Sequence, residues 1–104
     1  MKLYKQMYVR GIPDGKIIST MRKMKRKKEI FGLYCITLPV FQDGILEIYE
    51  YDELCQPIYD ELKEPVIVIG ITKSYTDAEE MVRLIIDEVY RNTGGFDVGE
   101  YLHL

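Results

Sequence analysis

The run Val66-Ile67-Val68-Ile69-Gly70-Ile71 carries a β-branched residue at every position but one and has no polar face. Branching at Cβ favours extended backbone. A strand apolar on both sides is stable only where both sides are kept from water. The run is therefore read as a central strand, and the rest of the chain has to supply its neighbours and its cover. A chain of 104 residues with 47% hydrophobic content has material for one such core and no second one. Residues 1–104 are read as a single domain.

The segment after this strand has helical periodicity. Ala78, Met81, Val82, Ile85, Ile86 and Val89 form one stripe, and Ser74 or Thr76 caps the start, with Thr76 and Glu79 spaced as a capping box. Gly94 and Gly95 end the helix after about Asn92 by permitting left-handed backbone. The tail 96–104 holds Phe96, Val98, Tyr101, Leu102 and Leu104, too apolar for a free end, and is expected to dock on the domain or on a neighbouring subunit.

Upstream, Lys2 to Val9 alternates as a strand, and Gly11, Pro13, Asp14 and Gly15 stop it, with Asp14 placed to cap the next element. From Lys16 to Lys27, Ile17, Ile18, Met21 and Met24 recur at helical spacing, and a helix is favoured there over an extended segment leading to a cationic hairpin tip. Because Lys28 would fall under the apolar stripe, the helix should stop near Arg26 or Lys27. Ile30 to Leu38 reads as a strand apolar on both faces. Asp43-Gly44 suits a tight hairpin turn, and Ile45 to Tyr51 is the return strand. Pro57 fits the first turn of a short helix in the acidic segment 52–64.

These elements define an α+β domain with a mostly antiparallel sheet of about four strands, helices on one face and a long C-terminal helix. Their order is compatible with a ferredoxin-like βαββαβ arrangement. Two features oppose it: the second crossover is short where crossovers usually take about a dozen residues, and the strands destined for the edges are the most apolar ones. Either a partner covers those edges or the strand order differs.

Charge is sharply divided along the chain. Residues 1–28 hold ten cations and one acid, a net +9, whereas the remaining residues carry −12, which together give the formal −3. The cations Lys16, Arg22, Lys23, Arg26 and Lys27 share one face of the basic helix. Such a face is either solvated, or paired with the acidic loops of the same or a neighbouring subunit, or presented to a polyanion. No Asn or Gln lies in residues 16–28 and no aromatic ring is interleaved with the cations, so specific base readout is not indicated.

Catalytic inventories are thin. The single His103 and the distant Cys35 and Cys55 make neither a nucleophile pair, nor a redox motif, nor a zinc set. Acidic clusters lack the spacing of a calcium loop, and no cofactor is implied. Lys73 and Ser74 at the helix start are a weak anion site, missing the glycines of a phosphate-binding loop. Nine tyrosines exceed what the core needs, and Tyr49, Tyr51, Phe96, Tyr101 and Leu102 are expected at a contact surface.

The first expectation is a non-enzymatic, cytoplasmic interaction module that acts as a homo-oligomer, most simply a dimer, without membrane association. The alternatives are nucleic-acid binding through residues 16–28 and anion or small-ligand binding near Lys73. The cytoplasmic expectation rests on the absence of both a disulfide framework and an apolar leader.

Overall fold

The apolar run finds two strand neighbours. In the computed structural model, which describes residues 1–41 and 43–104, strands β1 (Lys2–Arg10), β2 (Tyr34–Thr37), β3 (Glu47–Glu50) and β4 (Ile67–Thr72) form one sheet in the order β1-β4-β2-β3. β2 is antiparallel to both β3 and β4, and β1 is parallel to β4. The α+β class and the four strands are as expected, but the order is not ferredoxin-like. The two most apolar strands lie inside the sheet, where their lack of a polar face costs nothing, and the edges go to β1 and to the short, half-exposed β3. The crossover from β3 to β4 is adequate because it begins directly after Glu50: α2 (Tyr51–Leu54) and a 3-10 helix (Pro57–Glu61) both belong to it, with Pro57 in the first turn as anticipated.

Helices cover both faces of the sheet, not one. Met24 from α1 (Asp14–Lys25) joins Tyr51, Leu54 and Tyr59 against Cys35, Val68 and Ile71 on one side. On the other, α3 (Tyr75–Thr93) sets Ala78, Met81, Ile85 and Val89 against Ile36 and Ile69. The tail supplies α4 (Val98–Tyr101), and Val98 and Leu102 enter this second layer, so the tail docks on its own domain. A sheet with two apolar central strands needs cover on both sides, which the one-face expectation did not provide.

The β2–β4 ladder contains an irregularity that positions α3. Ile36 pairs with Gly70 and Thr37 with Val68, leaving Ile69 unmatched. Such a bulge disturbs the alternation of faces, and both Ile69 and the α-carbon of Gly70 lie toward α3. A Cβ on Gly70 would sit 2.8 Å from the Met81 sulfur and 3.2 Å from Ile36 Cδ1. The glycine is what lets the helix approach this closely.

Local signals are partly displaced. Ser74, the first of the two expected caps, is the N-cap of α3, its Oγ accepting from the Asp77 N–H at 3.1 Å, and the alternative at Thr76 lies inside the helix. Gly94 closes the helix with φ 76°. α1 is helical, which disposes of the hairpin alternative, and it starts at Asp14 without a side-chain cap. β2 is shorter than its apolar run because the chain turns at Phe31-Gly32, where Gly32 has φ 69°. The β2–β3 ladder ends at Thr37 opposite Glu47, too far from Asp43 and Gly44 for these to be the central pair of a tight hairpin. Tyr51 leaves the strand to open α2.

Two substitutions test this packing. Gly70→Ala should lower the urea midpoint by an amount equivalent to about 1–3 kcal/mol, the usual cost of overfilling a core. Thr37 is fully buried and its Oγ1 has no hydrogen-bond partner among the described residues. Thr37→Val should therefore leave the midpoint unchanged or raise it, since it removes an uncompensated hydroxyl at constant shape.

Candidate functional site

α1 buries only Met24 and leaves its cations in water. Its stripe is narrower than the sequence pattern, and Ile18 is 71% exposed beside the basic residues. Arg22, Lys23 and Arg26 line a shallow groove of about 520 Å³ together with Ser19, Lys28 and Glu29. Lys28 reaches this groove because the chain reverses at the helix end. The Lys27 and Lys28 N–H groups donate to the Met24 and Lys23 carbonyls at 3.1 and 2.9 Å, with Lys27 itself left-handed at φ 53°. The Lys28 carbonyl is then held by the Tyr51 hydroxyl at 2.8 Å. Among the described residues none of Arg22, Lys23, Arg26 and Lys28 forms an ion pair.

The other two expected cations lie elsewhere. Lys27 is paired with Asp60 of the acidic segment, and its hydrogen bond holds the Asp60 carboxyl below the usual carboxylate range. The internal pairing of the two halves of the chain is thus confined to one contact in this region. Lys16 shares a second hollow of about 200 Å³ with Lys73, Gly11, Pro13, Thr20 and Ile30. This hollow sits at the carboxyl ends of the parallel strands β1 and β4, where the chain leaves toward α1 on one face and α3 on the other. The anion site drawn at Lys73 and Ser74 is spent internally: Lys73 Nζ donates to the Phe31 carbonyl at 2.6 Å, and Ser74 Oγ caps α3. Phe31, next in sequence to Ile30 of this hollow, is 91% exposed. The sequence pattern put this ring inside a strand, whereas it lies in a turn with Gly32 at φ 69°.

The expected contact surface is largely interior. Tyr51 is 1% exposed, and Leu102 lies in the α3 layer. Tyr49 packs edge-on against Tyr59 at 6.0 Å, and its hydroxyl donates to Glu47 at 2.9 Å. Phe96 stays half exposed, stacked on Tyr90 at 5.2 Å. The tyrosine excess goes instead into internal hydrogen bonds. Tyr8 and Tyr101 both donate to Glu88 Oε2 at 2.9 Å, tying β1, α3 and α4 together at the base of a cleft of about 670 Å³. Tyr4 stacks on Tyr8 there, and Lys2, Lys5 and His103 also line the cleft. No Ser, Thr or Cys lines that cleft.

Cys35 is a free thiol, and burial pushes it up to about 12, so it keeps its proton at neutral pH. Among the described residues no group of three or more His, Cys, Asp or Glu could hold a metal ion, and no helix is long and apolar enough to cross a membrane. Compared with known proteins, the chain matches no family model, no curated protein and no solved structure.

The phenols make a pH prediction. Burial, followed by its hydrogen bond to Glu88, raises Tyr8; Tyr101 is raised first by its own hydrogen bond to Glu88. The bond to Glu53 pushes Tyr59 up to about 12, and burial raises Tyr49 and Tyr51. In the unfolded chain these groups ionise near their ordinary value of about 10. Their contribution to stability is therefore complete below that pH and is lost as pH rises above it. Urea midpoints should fall once pH exceeds about 10, and Glu88→Gln should let Tyr101 ionise at lower pH, as followed by phenolate absorbance.

Proposed function

We propose that this chain is a nucleic-acid-binding module whose contact surface is the solvent face of α1. The observation that carries the reading is the groove in which Arg22, Lys23, Arg26 and Lys28, four cations without ion-pair partners among the described residues, outnumber the acid Glu29. Lys25 adds a fifth exposed cation at the end of the helix. Guanidinium and ammonium groups on one rigid element suit a row of phosphates, and each phosphate neutralised releases counterions to the solvent. Binding of this kind is insensitive to base sequence. The proposal involves no catalysis and no cofactor, and it carries with it a location in the cytoplasm.

A self-associating module has less support. Tyr51 and Leu102 belong to the core, and of the two edge strands, β1 and β3, β1 exposes Lys2, Lys5 and Arg10. Like charges on an edge strand oppose antiparallel pairing with a second copy.

Fluorescence anisotropy with labelled single-stranded and duplex oligonucleotides tests the proposal. With about four phosphates neutralised, log K against log salt should have a slope of about −3. The combined Arg22→Glu, Lys23→Glu and Arg26→Glu variant should lose this binding while keeping its circular dichroism spectrum, because the three side chains are exposed. Wild-type protein that binds neither oligonucleotide at about 50 mM salt would end the proposal.

A further inference from the structure

We infer that the surface selects unpaired strands, with Phe31 as the platform on which a base stacks; this rests on the reading just given. The ring is 91% exposed, and isolated exposed apolar side chains are common, so exposure alone does not carry the inference. What does is the way the ring is held and what surrounds it. Its backbone is fixed on every side. Ile30 packs against the core, Leu33 is buried in it, Gly32 takes the left-handed turn at φ 69°, and Lys73 Nζ holds the Phe31 carbonyl at 2.6 Å. The ring is thus presented by an anchored loop, and little loop ordering would be left to oppose binding.

The surroundings specify the ligand. Lys28 lines the four-cation groove, and its α-carbon lies within about 11 Å of that of Phe31, the reach of three residues. Lys73, spent on the Phe31 carbonyl, lines the same hollow as Lys16, which forms no ion pair among the described residues. An exposed π-face three residues from Lys28 and next in sequence to Ile30, which lines the hollow of Lys16, suits a strand whose backbone meets these cations and whose base is unstacked. Duplex nucleic acid keeps its bases stacked and presents only their edges in the grooves. An unpaired strand offers a π-face at every base, and stacking on an aromatic side chain is indifferent to base identity. That fits a surface without Asn or Gln for readout.

The chain contains no tryptophan, so Phe31→Trp introduces a single indole reporter at the ring's own position. Titration with a thymidine homopolymer should quench its emission. Phe31→Ala should weaken binding of the single strand about 5- to 100-fold, with the salt slope and the duplex affinity unchanged, and Phe31→Tyr should retain most of it. The thermal midpoint of Phe31→Ala should match wild type, which separates loss of contact from loss of fold. If Phe31→Ala binds single strands as tightly as wild type with the same slope, the stacking inference fails and the phosphate reading stands. An equal loss on single and double strands overturns it as well. So does a blue shift of the Phe31→Trp emission with phosphatidylglycerol–phosphatidylcholine vesicles and no response to the oligonucleotide. Absence of any oligonucleotide binding by wild type removes both readings.

Discussion

Exclusion of water from both faces of β4 is the constraint on which the rest of the fold depends. A strand of Ile and Val has no side to turn outward, so it takes β1 and β2 as neighbours and requires a helical layer above and another below. The layers are unlike. α3 comes close because a bulge and Gly70 clear a path for Met81. The opposite layer is assembled from smaller pieces, α1, α2 and a 3-10 helix, held by Met24, Tyr51, Leu54 and Tyr59. Only four residues of α3 and one of α1 are fully buried. α1 therefore contacts the core along a narrow strip, and its wide outer surface is free to carry charge.

That division of labour locates the candidate surface. The cations occupy a helix whose attachment depends on Met24 and on half-buried Met21, so the charge can be dense without being desolvated. Lys27 alone is withdrawn into a pairing with Asp60, which fastens the end of α1 to the crossover beneath it. With Lys27 turned away, Lys28 comes round to join Arg22, Lys23 and Arg26.

The elements with strong one-dimensional signals were legible: β4 from its β-branched run, α3 from its stripe and its closing glycines, α1 from its methionines, and the docking of the tail from Val98 and Leu102. Features decided by pairing were not. Nothing in a linear pattern says that Lys2 aligns with Ile67, or that Tyr8 and Tyr101 meet at Glu88. The alternation around Tyr51 gave no warning that the strand would end there and bury the ring. Ile18 matched the helical period but lies at the border of a stripe too narrow to include it. Of the five cations that the helical period assigned to one face, three share a groove. Lys28 joins them past the left-handed residue Lys27, and Phe31 is turned out of the strand beside the left-handed Gly32, conformations that no periodicity encodes.

The parallel pairing of β1 with β4 has a consequence for the order in which the chain assembles. β2, β3 and β4 meet through antiparallel contacts, those of β2 with β3 being local, whereas Lys2 must find Ile67 across most of the chain. Closing so large a loop is entropically costly before the contact rewards it. Of the pairings in the sheet, that of β1 with β4 closes the longest loop, and the strand that waits on it exposes the row of Lys2, Lys5 and Arg10. Mutual repulsion along that row keeps the unpaired strands of separate molecules apart while the sheet is incomplete.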